Sequence, residues 1–224
     1  MKSKTIAIIP ARKGSKRLAN KNLLLLGGIP LFVHSVLFAQ KHSFIDDVYV
    51  STNDENIKTI ALKFGAKVID RPEKIAGDHE PTVSAIRHVL ENIDAIGVEN
   101  VILLQPTNPL RPENLLREAF EKYQELNCDS LFTVSQNHYK LGKIENNKFE
   151  PFNYKVGQRS QDLEPLYFEN GLLYISKVKL ILEDKIISDN AFPMIVNHIF
   201  ASVDIDTQDD FDYTNYLYNL KILK

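Results

Sequence analysis

Cysteine is almost absent from this chain: among 224 residues there is one, Cys128. A single thiol excludes an intramolecular disulfide and any metal site built from cysteines, and it suits a reducing compartment. Excess charge is also missing. The formal net charge of −2 argues against a general binder of nucleic acid or of membrane surfaces. No apolar run approaches membrane-spanning length. The first one, Ile6 to Ile9, is too short for a signal-peptide core, and cations follow it instead of preceding it. A cytoplasmic location is the expectation. Internal repeats, low-complexity linkers, a Walker motif and a GxGxxG dinucleotide fingerprint are all missing. His79, His88, His138 and His198 lack ligand spacing, and no Ser-His-Asp or Cys-His arrangement stands out. Chemistry without a protein nucleophile is therefore expected.

What is present is concentrated near the start. Thr5 to Pro10 reads as a short apolar strand that breaks into a loop carrying Arg12, Lys13, Lys16, Arg17 and Lys21, with Gly14 and Ser15 among them and no acid in the run. A strand ending in such a loop can grip several phosphates, because backbone N–H groups converge there and the cations neutralise the anion. Apolar residues, 44% of the chain, suffice for a sizeable core.

Further along, strand and helix signals alternate. Helices are predicted over 31–40, from about 54 to 64, after Thr82 as N-cap, and from Pro112 through Tyr123; strands over 47–52, 66–70, 101–104 and 130–135. This alternation predicts a parallel sheet with helices on both sides, whose ligands sit outside the carboxyl ends of strands. The polar loops 10–22, 71–82 and 105–111 each follow a strand. From 136 to 169 the rhythm changes to a polar excursion without helical period; strand character returns at 172–176 and 195–203, and a last helix runs from about 208 to 221. Two motifs add chemistry. Asp204-Ile205-Asp206, read as a strand, sends both carboxylates to one face, where they can share a hard cation such as Mg²⁺ or serve merely as capping and surface acids. Gln105-Pro106-Thr107 places a polar side chain on a rigid turn at a strand's end.

Together these residues resemble the acylneuraminate cytidylyltransferases, or CMP-sialic acid synthetases. The matching pieces are Ile9-Pro10-Ala11-Arg12 with Ser15-Lys16 and Lys21-Asn22, Val50-Ser51-Thr52, Arg71-Pro72, Gln105-Pro106-Thr107-Asn108-Pro109-Leu110-Arg111, Asn170-Gly171 and Asp204-Ile205-Asp206-Thr207. The resemblance implies an α/β fold, a Rossmann-like three-layer sandwich on a mostly parallel mixed sheet. It implies one domain over 1–224, with 136–169 as a dimerisation arm in a homodimer. The implied reaction transfers CMP from CTP to a nine-carbon 2-keto sugar acid such as N-acetylneuraminate or legionaminate, with the pseudaminic branch ranked lower. It implies that Pro10, Ala11, Arg12, Ser15, Lys16, Lys21, Asn22, Arg71, Glu80 and Thr82 handle the nucleotide, with Lys21, Arg12 and Arg159 closest to the chemistry. Gln105, Thr107, Arg159 and Asn170 would meet the sugar, and Asp204 and Asp206 would hold Mg²⁺. The alternatives are transfer to another acceptor, such as Kdo or a sugar 1-phosphate, and a non-catalytic nucleotide-binding module.

Overall fold

The computed structural model describes residues 3–222. Its frame is a seven-stranded mixed sheet. The chain enters with β1 (Lys4–Pro10), makes a small hairpin of β2 (Leu25–Leu26) and β3 (Ile29–Pro30), and continues into α1 (Leu31–Gln40). It then alternates β4 (Asp47–Thr52), α2 (Glu55–Lys63), β5 (Lys67–Asp70), α3 (Thr82–Glu91), β6 (Val98–Leu103) and α4 (Leu115–Leu126). After β7 (Ser130–Asn137) comes a separate hairpin of β8 (Gly142–Glu145) and β9 (Lys148–Pro151). The long β10 (Leu166–Lys177), a short α5 (Val178–Leu182), β11 (Ala191–Ile195) and α6 (Gln208–Ile222) complete the chain.

The strand order is β11-β7-β10-β6-β1-β4-β5, and only β10 runs antiparallel to its neighbours. From β1 the chain moves outward through β4 and β5, then returns to β6 on β1's other side. The order therefore reverses at β1, where a crevice opens beyond the strands' carboxyl ends. Alternation along β1 explains why Ile6 to Ile9 is unbroken: Ala7 and Ile9 pack with α1, α2 and α4 residues, whereas Ile6 and Ile8 pack with α3 and α5. Each such isoleucine stabilises the fold by about 1.5–3 kcal/mol. A third cluster joins Leu18, Leu26, Leu31 and Leu110 to Phe200, Val203, Ile205 and Leu217. It carries the acidic 204–206 segment up to the basic loop.

Local signals explain most boundaries. The Asp54 carboxylate accepts from Asn56 N and Ile57 N, capping α2, and Gly65 follows its end at φ 77°. Four expectations are corrected. Thr82 is the first residue of α3, not its cap; Pro81 holds the cap position, with fixed φ and no side-chain donor or acceptor. Pro112 does not open α4; its carbonyl accepts from Leu115 N, and the helix starts there. Strand structure over 195–203 stops at Ile195, because His198 accepts from Phe200 N and bends the chain into a 3-10 turn at Ile199–Ser202. Asp204-Ile205-Asp206 is not a strand. Its middle residue is nevertheless anchored, Ile205 N donating to Thr107 O at 2.9 Å with the side chain buried.

Candidate active site

A cleft of about 310 Å³ opens at the reversal point. One wall is the basic loop. Asn20 and Gly14 take left-handed backbone conformations, at φ 52° and 70°, and Lys21–Leu23 form a 3-10 turn. The loop is closed on itself by Asn22 Nδ2, which donates to Arg12 O at 2.9 Å, and it is tied to β4 by Ala11 N donating to Ser51 O. Pro10, Arg12, Gly14, Ser15, Lys21 and Asn22 face the cleft. Ala11 is fully buried behind them, and the Lys16 side chain, 80% exposed, stands outside.

The run lacks acids, but its cations do not lack partners. Arg12 and Lys16 pair with Asp78; Arg17 and Lys21 pair with Asp206, at 2.6 and 2.9 Å. Lys21 Nζ also donates to Ile205 O at 2.8 Å. Four of the five cations are thus balanced by carboxylates brought in from distant sequence. Lys16 first and Arg12 second hold the Asp78 carboxyl below the usual range. Asp78 had no local signal beyond its place in the loop 71–82.

The second wall is that loop. Arg71 is buried at its base, with Nε donating to Ser51 Oγ and Nη2 to Ser51 O, at 3.0 and 2.8 Å. Burial, and secondarily Arg12, pull its pKa down to about 10, so it remains charged at neutral pH. Glu80 and Thr82 also face the cleft, as do Ile75 and Ala85, which supply apolar floor.

The third wall comes from Gln105, Pro106, Thr107 and Asp204. Arg111 steadies this wall from behind: Nη2 donates to Gln105 O and Nε to Leu172 O, and the guanidinium lies 5.6 Å from the Phe38 ring centroid. Its pKa falls to about 9 through burial. Asp204 stands at the mouth of the cleft as an exposed residue; partial desolvation of its carboxyl raises its pKa, and the nearby Asp206 charge adds to the rise. Asp206 is not part of the cleft lining; it is partly exposed and engaged by Lys21 and Arg17.

Two residues lie apart. The Asn170 side chain is used up inside the fold, accepting from Thr133 Oγ1 and Leu172 N and donating to Ser135 Oγ. Arg159 is on the excursion and pairs with Asp162 at 2.8 Å. Neither faces the cleft of its own chain. Among the described residues there is no group of three or more His, Cys, Asp or Glu around one point.

Cations, a buried arginine, a polar turn and a carboxylate around one crevice fit a polyphosphate nucleotide beside a second, polar substrate. A pseudaminic acid cytidylyltransferase of Campylobacter jejuni is 31% identical over 97% of each chain. A CMP-N,N'-diacetyllegionaminic acid synthase of Legionella pneumophila is 34% identical over 96% of each. These near-equal values do not rank the pseudaminic branch below the other. An N-acylneuraminate cytidylyltransferase of Streptococcus agalactiae is 32% identical over 93% of this chain and 52% of its own. In fold, the chain is similar to a CMP:2-keto-3-deoxy-manno-octonic acid synthetase complexed with CTP, with a TM-score of 0.73, 16% identity and coverage of 98% and 100%. It is also similar to a 4-diphosphocytidyl-2C-methyl-D-erythritol synthase, with a TM-score of 0.70, 13% identity and coverage of 97% and 99%. The sequence model of the cytidylyltransferase family matches residues 6–224, and this chain, with its crevice at the sheet's reversal point, belongs to that family.

Proposed function

We propose that the chain transfers CMP from CTP to the anomeric hydroxyl of a nine-carbon 2-keto sugar acid of the sialic type, releasing pyrophosphate. The observation that carries this reading is one crevice lined by Arg12, Lys21, Arg71, Gln105 and Asp204, in a chain whose relatives are named for such acids. In this reading the triphosphate lies along the basic loop, with Arg12, Ser15, Lys21 and Asn22 around it and Lys16 at the mouth. The base enters the pocket formed by Arg71, Pro10, Glu80 and Thr82. Gln105 and Thr107 orient the sugar acid. Its anomeric oxygen attacks the α-phosphorus and gives up its proton to solvent water as the bond from the α-phosphorus to pyrophosphate breaks. Such transfer needs alignment and charge neutralisation more than covalent help.

Asp204 and Asp206 fit Mg²⁺. They offer hard oxygen donors, and Mg²⁺ binds through one or two carboxylates plus phosphate oxygens and water. When bound there, the ion neutralises phosphate charge and lowers the pKa of a hydroxyl. The phosphates would draw Lys21 and Arg17 away from Asp206.

The excursion supports a homodimer. Tyr139, Ile144, Phe149, Phe152 and Val156 are exposed on it, an apolar surface that a second copy would cover. Arg159 would then reach the partner's cleft. We take 1–224 as one nucleotidylyltransferase domain with 136–169 as this arm, working in the cytoplasm. The test is Mg²⁺-dependent pyrophosphate release from CTP against a panel of nine- and eight-carbon keto acids. Release with sialic-type acids is expected; release with Kdo alone sinks the reading.

A further inference from the structure

We propose that Asn108 is a positioning residue of the crevice, holding Asp204 and Gln105 in fixed relation across two of its walls. The inference rests on the cytidylyltransferase reading above. Asn108 has no exposed surface and does not line the cleft. Its amide Nδ2 donates to two carbonyls from separate parts of the chain, Asn170 O at 3.1 Å and Val203 O. Its Oδ1 accepts from Thr107 Oγ1 at 3.1 Å. Both amide hydrogens and one acceptor site are therefore committed.

Each carbonyl lies beside a group the reaction uses. Val203 precedes Asp204, and on Asp204's other side Ile205 N donates to Thr107 O at 2.9 Å. The carboxylate is thus pinned through both neighbours to the turn that carries Gln105. Residues 203–207 belong to no strand or helix, so these two bonds, the Lys21 bond to Ile205 O and the packing of Val203 and Ile205 together set where Asp204 stands. Asn170 precedes Gly171, which has φ 73°. A Cβ on Gly171 would lie 2.8 Å from Asn108 Oδ1 and 3.2 Å from Gln105 Oε1. Both amides therefore rest on the same bare backbone, and Gln105 is registered against the segment that Asn108 grips. An apolar residue of equal size would leave two buried carbonyls without donors, and an aspartate would set acceptor against acceptor. In-line transfer is sensitive to displacements of about 1 Å, so such a clamp acts on turnover rather than on nucleotide binding.

The test compares wild type with Asn108→Asp, which keeps the volume but removes the donors, and Asn108→Ser, which keeps one donor. Steady-state rates are read with CTP and a nine-carbon acid, and Mg²⁺ is titrated calorimetrically into CTP-loaded protein without acid. We expect kcat to fall about tenfold to a hundredfold in Asn108→Asp and less in Asn108→Ser, with KM for CTP within about twofold of wild type. Half-saturation by Mg²⁺ should rise several-fold, about threefold or more, in the same order. Unchanged kcat and Mg²⁺ affinity in folded variants overturn the proposal, as does a KM for CTP that rises in step with the loss of kcat. If Asn108→Asp does not fold, Asn108→Ser decides. If wild type turns over no acid, the functional reading fails while the Mg²⁺ titration still judges Asn108.

Discussion

Lys21 sits where three demands meet. Its side chain is 13% exposed, it faces the cleft, and its ammonium bridges Asp206 and the Ile205 carbonyl. Lys21→Ala removes a cation aimed at developing phosphate charge, so steady-state turnover should drop about a hundredfold or more. An unchanged rate would return the loop to ordinary charged surface. Asp78 makes a different prediction. Its cationic neighbours depress its folded pKa below 3.8, so its contribution to stability is present above the unfolded value of about 3.9 and is lost as pH falls through the lower folded value. The gap in thermal midpoint between wild type and Asp78→Asn should therefore hold from about pH 7 to about pH 5 and shrink below about pH 4. A gap that widens on acidification contradicts this. Arg12, Arg71 and Gln105 were legible because each lies within two residues of a strand's end, whereas Lys21 stood out only as a member of the acid-free basic run and through the family resemblance. Asp78 and Asn108 were not legible, because Asp78's partner Arg12 lies 66 residues away and two of Asn108's three partners lie 62 and 95 residues away.

Among the elements, β10 backs the third wall of the crevice, where Gly171 lies against Asn108 and Gln105. Its pairing with β7 shifts register between Glu169 and Tyr174, and Gly171 lies within that irregularity. Gly171→Ala combines a disfavoured φ with a close approach to Asn108 and Gln105. It should lower unfolding free energy by about 1–3 kcal/mol in a denaturant titration and raise KM for the acid more than KM for CTP. Equal stability with unaltered KM values would mean that the backbone there has room. Helix 31–40 and strand 47–52 were read from sequence with their observed bounds, since apolar runs and turn residues mark both ends. The stretch after Ile195 was misread. Its apolar residues serve a packing cluster against α6 and the basic loop, and side chains that pack without a strand partner carry the same composition as a strand.

At the scale of the whole molecule, alternation made the parallel sheet and its two helical faces predictable. The insertion of antiparallel β10 between β6 and β7 was not, because strand order is set by contacts across the excursion rather than by any local period. That excursion makes the oligomer testable. Ile144 is 77% exposed and Phe149 53%. Ile144→Asp with Phe149→Asp should convert a dimer to a monomer in sedimentation velocity and reduce activity; an unaltered dimer would place the interface elsewhere. The central claim is attack at the α-phosphorus of CTP by a sugar acid bound in this crevice. It is tested most directly by ³¹P NMR of the protein with CTP, Mg²⁺ and a nine-carbon keto acid. The account predicts that the triphosphate signals give way to equimolar pyrophosphate and phosphodiester, the single pyrophosphate signal integrating to twice the phosphodiester signal. Formation of CDP and inorganic phosphate, or an unchanged spectrum with every acid tried, would contradict it.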